Sequence, residues 1–138
     1  MQKASNHVPL QGVAFQGATD RYVAGLVTQE LLRKSNPETL KFVYWLSLST
    51  HLPVDRSYAK SLDGELITSQ LPNSPKEIVY HEIILADMIR EVARIASDPN
   101  LRPTRFLMVG DHPPPFVDPD LRGRYHPKAV PYISLRPF

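Results

Sequence analysis

At 138 residues, 42% of them hydrophobic, the chain is long enough for one domain with one core and too apolar for a disordered polymer. A net charge of +2 without a Lys/Arg block leaves no footprint for nucleic acid, and the absence of cysteine excludes disulfides and thiolate metal sites. No apolar run approaches the roughly 18 residues of a membrane span, and Met1 to Asn6 lack a signal-peptide core, so the chain reads as soluble.

Residues up to about Gly17 show little periodicity and read as an irregular lead-in. Thr19 or Asp20 can then cap a helix to about Lys34, since Tyr22, Val23, Leu26, Val27 and Leu31 recur at three- and four-residue steps. Asn36-Pro37 ends it. The aromatic and branched run Phe42-Val43-Tyr44-Trp45-Leu46-Ser47-Leu48-Ser49 reads as a buried strand, which Pro53 forbids from continuing, so Ser49-Thr50-His51 emerge at its exit. Asp55 to Asn73 is polar and broken by Gly64 and Pro72, and it reads as a surface excursion.

Ser74-Pro75-Lys76-Glu77 has the pattern of a capping box with proline at the first helical position. The helix it opens runs to about Ala96, with Ile78, His81, Leu85, Met88, Ile89, Val92 and Ala96 as its buried face and Asp98-Pro99-Asn100 as its stop. His81 on that face reads as a core histidine, and His7 has no supporting pattern. Phe106-Leu107-Met108-Val109, bounded by Arg105 and Gly110, is too short for a helix and suits a strand buried on both faces. An irregular loop, Pro113 to Lys128, leads to a third strand, Ala129 to Leu135, which Pro131 places at an edge or makes irregular. Helices alternating with short apolar strands predict a layered, three-layer α/β fold with a mostly parallel sheet.

Asp111 and His112 follow the strand Phe106 to Val109. In open α/β sheets ligands bind outside the carboxyl ends of strands, and carboxylate oxygen with imidazole nitrogen is a zinc-ligating combination. Asp111 could equally cap the proline-rich turn Pro113-Pro114-Pro115, and a short polyproline segment is also a ligand for aromatic grooves.

In their order and spacing, these segments resemble the C-terminal portion of a sulfatase-like domain of the alkaline phosphatase superfamily, close to bacterial phosphoethanolamine transferases and lipoteichoic acid synthases. Gly17-Ala18-Thr19-Asp20 with its helix is similar to the family's Gly-x-x-Asp helix, and the strand ending Ser49-Thr50-His51-Leu52-Pro53 to its Ser-x-His-x-Pro segment. The long helix with Tyr80 and Asp87 resembles the helix before the metal strand, Val109-Gly110-Asp111-His112 the strand ending in Asp-His, and Val130-Pro131-Tyr132-Ile133 the Val-Pro strand near the domain's end.

The resemblance implies that residues 1–138 form a single domain, a partial alkaline-phosphatase-like fold. It implies that Asp111 and His112 ligate a divalent metal, zinc or manganese, that His51 stabilises the oxyanion or protonates the leaving oxygen, and that His126 lies on the substrate side. The implied chemistry is transfer or hydrolysis of an anionic phosphate or sulfate ester on the extracytoplasmic side of a bacterial membrane, with any membrane attachment lying upstream. Where relatives continue with Gly and Glu after Asp-His, this chain has Pro113-Pro114-Pro115-Phe116, which points to a differently shaped entrance. No strand ending in an acid and followed by a helix-capping nucleophile precedes Asp20, and two ligands do not complete a zinc site. The chain therefore reads as a fragment, inert alone, whose partner is the missing N-terminal half of the same domain and whose open sheet edges favour self-association. The alternative is a non-catalytic α/β module for binding or docking.

Overall fold

A computed structural model of the chain describes residues 18–36 and 38–136. The lead-in up to Gly17, His7 and Pro37 lie outside the described residues.

Helix α1, Asp20–Leu32, starts where the Thr19 hydroxyl accepts from the Tyr22 amide at 3.3 Å. Its last turn carries no basic residue, and Lys41 supplies one from beyond the helix, with its ammonium donating to the carbonyls of Glu30 (2.7 Å) and Arg33. Those are the carbonyls that a helix leaves without intrahelical partners. The expected surface excursion contains two short helices, α2 at Arg56–Ser61 and α3 at Glu65–Gln70. The Asp55 carboxylate caps α2, accepting from Ser57 (2.8 Å) and Tyr58 (2.9 Å). Gly64 joins α2 to α3, and a Cβ there would collide with the Ile83 side chain, so the close approach requires glycine.

The long helix α4, Lys76–Ala96, begins without the expected capping box: Pro75 occupies the cap position and no side-chain cap bond forms. α1, α2 and α3 all pack on α4. Its burial reflects this. Besides Ile78, His81 and Val92 of the expected face, Val79, Ile83, Asp87, Glu91 and Ile95 are buried, a second stripe at four-residue steps. Leu85, Met88 and Ile89 are only half-buried and Ala96 is exposed. His81 is the core histidine that its position suggested.

The three-layer α/β fold with a mostly parallel sheet is not what forms. Among the described residues the sheet has two strands, β1 at Phe106–Val109 and β2 at Tyr132–Leu135, and they pair antiparallel with Val109 opposite Tyr132 and Phe106 opposite Leu135. The Gly110 amide donates to the Pro131 carbonyl at 3.0 Å and extends the ladder. A parallel pair needs a crossover that returns the chain to the same end of the sheet; here the loop with the short helix α5, Pro119–Arg122, simply reverses it. Residues 42–48 have the alternating exposure of a strand but no strand partner among the described residues. β1 was expected to be buried on both faces, whereas Leu107 and Val109 are exposed.

Two apolar clusters hold the elements. Val54, Ala59 and Ile84 form one, with Leu52, Tyr58, Leu62 and Tyr80 against it. Ile78, Phe116 and Leu121 form the other, with Leu52, Leu71 and Tyr125 against it. Leu52 belongs to both. Replacing Ile84, which has almost no solvent exposure, by alanine is expected to cost about 2–5 kcal/mol of unfolding free energy in urea titration, because the cavity lies between α4 and α2.

Candidate functional site

Asp111 and His112 leave the end of β1 on an exposed turn, their side chains 85% and 52% accessible, with Asp111 Oδ2 3.6 Å from His112 Nε2. His112 Nδ1 lies 2.9 Å from the Pro113 carbonyl. A carbonyl only accepts, so Nδ1 carries the proton, and in the neutral ring Nε2 presents its lone pair beside the carboxylate. Two acceptors facing each other at this distance suit a shared cation, and an Nδ1–H held by a carbonyl is a common way of orienting a metal-ligating histidine.

His51 repeats the device, with Nδ1 2.7 Å from the Leu52 carbonyl. His126 differs. Its Nδ1 accepts from the Lys128 amide at 3.2 Å, so the neutral ring carries its proton on Nε2, a donor matched to an oxyanion and not to a metal.

The second apolar cluster ties these turns together. Leu52, next to His51, Phe116, four residues after His112, and Tyr125, next to His126, all pack on it. The Phe116 ring lies 5.7 Å from that of Tyr125 and 6.1 Å, edge-on, from that of His81. The Tyr125 hydroxyl donates to Glu82 Oε1 at 3.2 Å, and His81 Nδ1 lies 3.1 Å from the same oxygen. These bonds hold the Glu82 carboxyl below its usual range, the His81 bond foremost and against the pull of burial, while burial beside the Glu82 charge pushes the Tyr125 phenol up to about 12. A cavity of about 470 Å³ opens between the proline turn and the His126 loop, lined by Pro113, Pro114, Pro115, Arg122, Tyr125 and Pro127. A larger hollow, about 790 Å³, lies at the far end of α4 against Phe106 and Leu135 and contains no histidine.

Among the described residues no three His, Asp or Glu side chains form a metal-holding group, so His51 does not join Asp111 and His112 as a third ligand. The pair fits a divalent metal as two ligands of a set.

A second polar group escaped the sequence reading. Asp20, 1% exposed in the first turn of α1, lies against the inward-facing Ser47 and Ser49. Its Oδ2 and both serine Oγ atoms are buried without a hydrogen-bond partner among the described residues. The Tyr58 hydroxyl donates to the buried Asp87 at 3.3 Å, and the Asp87 charge acts on Asp20. Burial raises the Asp20 carboxyl, with the Asp87 charge adding to the rise; burial and the carboxylates raise the Tyr58 phenol as well. Glu91, also buried, meets Arg94 at 2.9 Å and Arg21 at 3.4 Å. The available signal was the pair of serines at the inward positions of residues 42–49, which pattern alone assigns to turn or surface.

A carboxyl raised by folding stabilises the fold most below its usual range, and that contribution is lost as pH rises through its folded value. Asp20→Asn is therefore expected to raise the melting temperature at neutral pH, with the gap closing on acidification. Melting curves across the acidic range check this, and a gap that widens toward low pH would refute it. No known protein family, no curated protein and no solved structure matches this chain.

Proposed function

We propose that this chain carries part of a metal-dependent site for transfer or hydrolysis of a phosphate or sulfate ester, with Asp111 and His112 as two ligands of a zinc or manganese ion. The observation that carries this reading is the 3.6 Å approach of Asp111 Oδ2 to a His112 Nε2 whose ring is oriented by the Pro113 carbonyl, on an open turn at a strand end. The order of segments resembling a sulfatase-like domain supports it. The remaining ligands and the nucleophile belong to polypeptide outside the described residues, and the described residues alone are inert.

The roles of the other residues follow from their protons. His126, carrying Nε2–H, donates to a non-bridging ester oxygen from beside the cavity lined by Tyr125 and the prolines. His51, once protonated, stabilises the developing charge or passes its proton to the leaving oxygen. The bound metal supplies charge neutralisation at the ester and a lowered pKa for the attacking group. No described helix is long and apolar enough to cross a bilayer.

Zinc titration by calorimetry, with the imidazole signals followed by NMR, tests the ligand pair. Weak binding with perturbation of His112 is expected, and Asp111→Asn or His112→Ala should each weaken it by roughly tenfold or more. Zinc binding that survives both substitutions, or binding that leaves His112 untouched, would overturn the assignment.

A further inference from the structure

Residues 42–49 alternate between an exposed apolar row, Phe42, Tyr44, Leu46 and Leu48, and an inward row, Val43, Trp45, Ser47 and Ser49. The inward row changes from apolar to hydroxyl at Ser47. There Ser47 and Ser49 lie against Asp20 in the first turn of α1, and the charge of Asp87 acts on the same carboxyl from α4. Asp20 is 1% exposed, Asp87 6% and Ser49 7%. Among the described residues, Asp20 Oδ2 and both serine Oγ atoms have no hydrogen-bond partner. Buried polar atoms left unpaired are costly, and their convergence calls for a small polar occupant. We propose that Asp20, Ser47, Ser49 and Asp87 hold a hard divalent cation of the calcium class.

Charge decides between a cation and a water molecule. Glu91, the third buried carboxylate of this group, meets two guanidinium groups, those of Arg21 and Arg94. Among the described residues, neither Asp20 nor Asp87 has an ion pair with Lys, Arg or His. The Tyr58 hydroxyl that donates to Asp87 brings no charge. One divalent cation balances two buried carboxylates, whereas water leaves both charges in place. The positive end of α1 opposes a cation by about half a charge, which is less than the two carboxylates supply.

Donor chemistry sets the class of ion. All four side chains offer oxygen, which suits calcium or magnesium over the ions that favour imidazole or thiolate. Magnesium gives up its waters reluctantly, and residues this closed to solvent leave it little room to keep them, so calcium is the better match. Two of the four ligands are neutral hydroxyls, which makes the site a weak one, with a Kd of about 10⁻⁴–10⁻³ M. None of these residues belongs to the Asp111–His112 pair, so either site can fail alone.

Thermal melting of the 138-residue chain, first stripped with a chelator, tests the proposal when calcium, magnesium or potassium chloride is added at equal ionic strength. Calcium should raise the melting temperature saturably, by roughly 3–6 °C at about ten times its Kd, and magnesium should do so less. Asp20→Asn should abolish the rise, and Asp111→Asn should leave it intact. Calorimetric titration with calcium reads binding apart from stability; there Ser49→Ala should weaken the Kd by about tenfold or more. The absence of a calcium-specific rise overturns the proposal and leaves a buried water as the occupant. A response larger with magnesium, one that survives Asp20→Asn, or one lost in Asp111→Asn overturns it as well.

Discussion

The burial of Phe116 against Ile78 and Leu121 is the contact on which the arrangement of the candidate site depends. The proline turn that follows Asp111 and His112 belongs to no helix or strand, and the buried Phe116, whose amide donates to the Pro114 carbonyl at 2.9 Å, fixes where it ends. Leu52 and Tyr125 reach the same cluster from two other loops, so the turns bearing His51, His112 and His126 share one anchor. Exposed loops held at single buried points combine freedom at the reacting groups with a defined spacing between them. α4 provides the rigid side of the anchor through Ile78 and, one turn on, through His81 and Glu82.

The polar group beneath residues 42–49 sets a different balance. Asp20 and Asp87 are buried close enough to act on each other, and the raised Asp20 carboxyl means that burial outweighs its polar neighbours. An arrangement that costs stability at neutral pH is retained where it fixes something else. Here Ser49, against the buried carboxyl, stands two residues before His51, so the group defines where that segment turns. Glu91 shows the contrasting solution, a buried carboxylate answered by two guanidinium groups.

Much of the local structure was legible because it depends on local rules. The three- and four-residue spacing from Tyr22 to Leu31 and the hydroxyl of Thr19 announced α1, and the branched run Phe106 to Val109 announced β1. The capping box at Ser74 did not form, because the helix begins beyond Pro75, at Lys76, one position later than the pattern places it. α2 went unseen because a six-residue helix shows too little periodicity; its signal was Asp55, three residues before Tyr58. The parallel sheet failed for a reason beyond local pattern. Residues 42–48 have strand character, but a strand's partners lie elsewhere in the chain or in another chain, and composition names neither. The adjacency of Asp111 and His112 could be read directly, whereas their orientation, set by the Pro113 carbonyl, could not.

The central proposal is that Asp111 and His112, 3.6 Å apart on the turn after β1, hold one cation between them. Paramagnetic broadening of the histidine ring protons by substoichiometric manganese tests it most directly, since the effect falls steeply with distance from the bound ion. The account requires the His112 signals to broaden first among the histidines and to recover in Asp111→Asn. Broadening that leaves His112 untouched, or that persists without the Asp111 carboxylate, would contradict it.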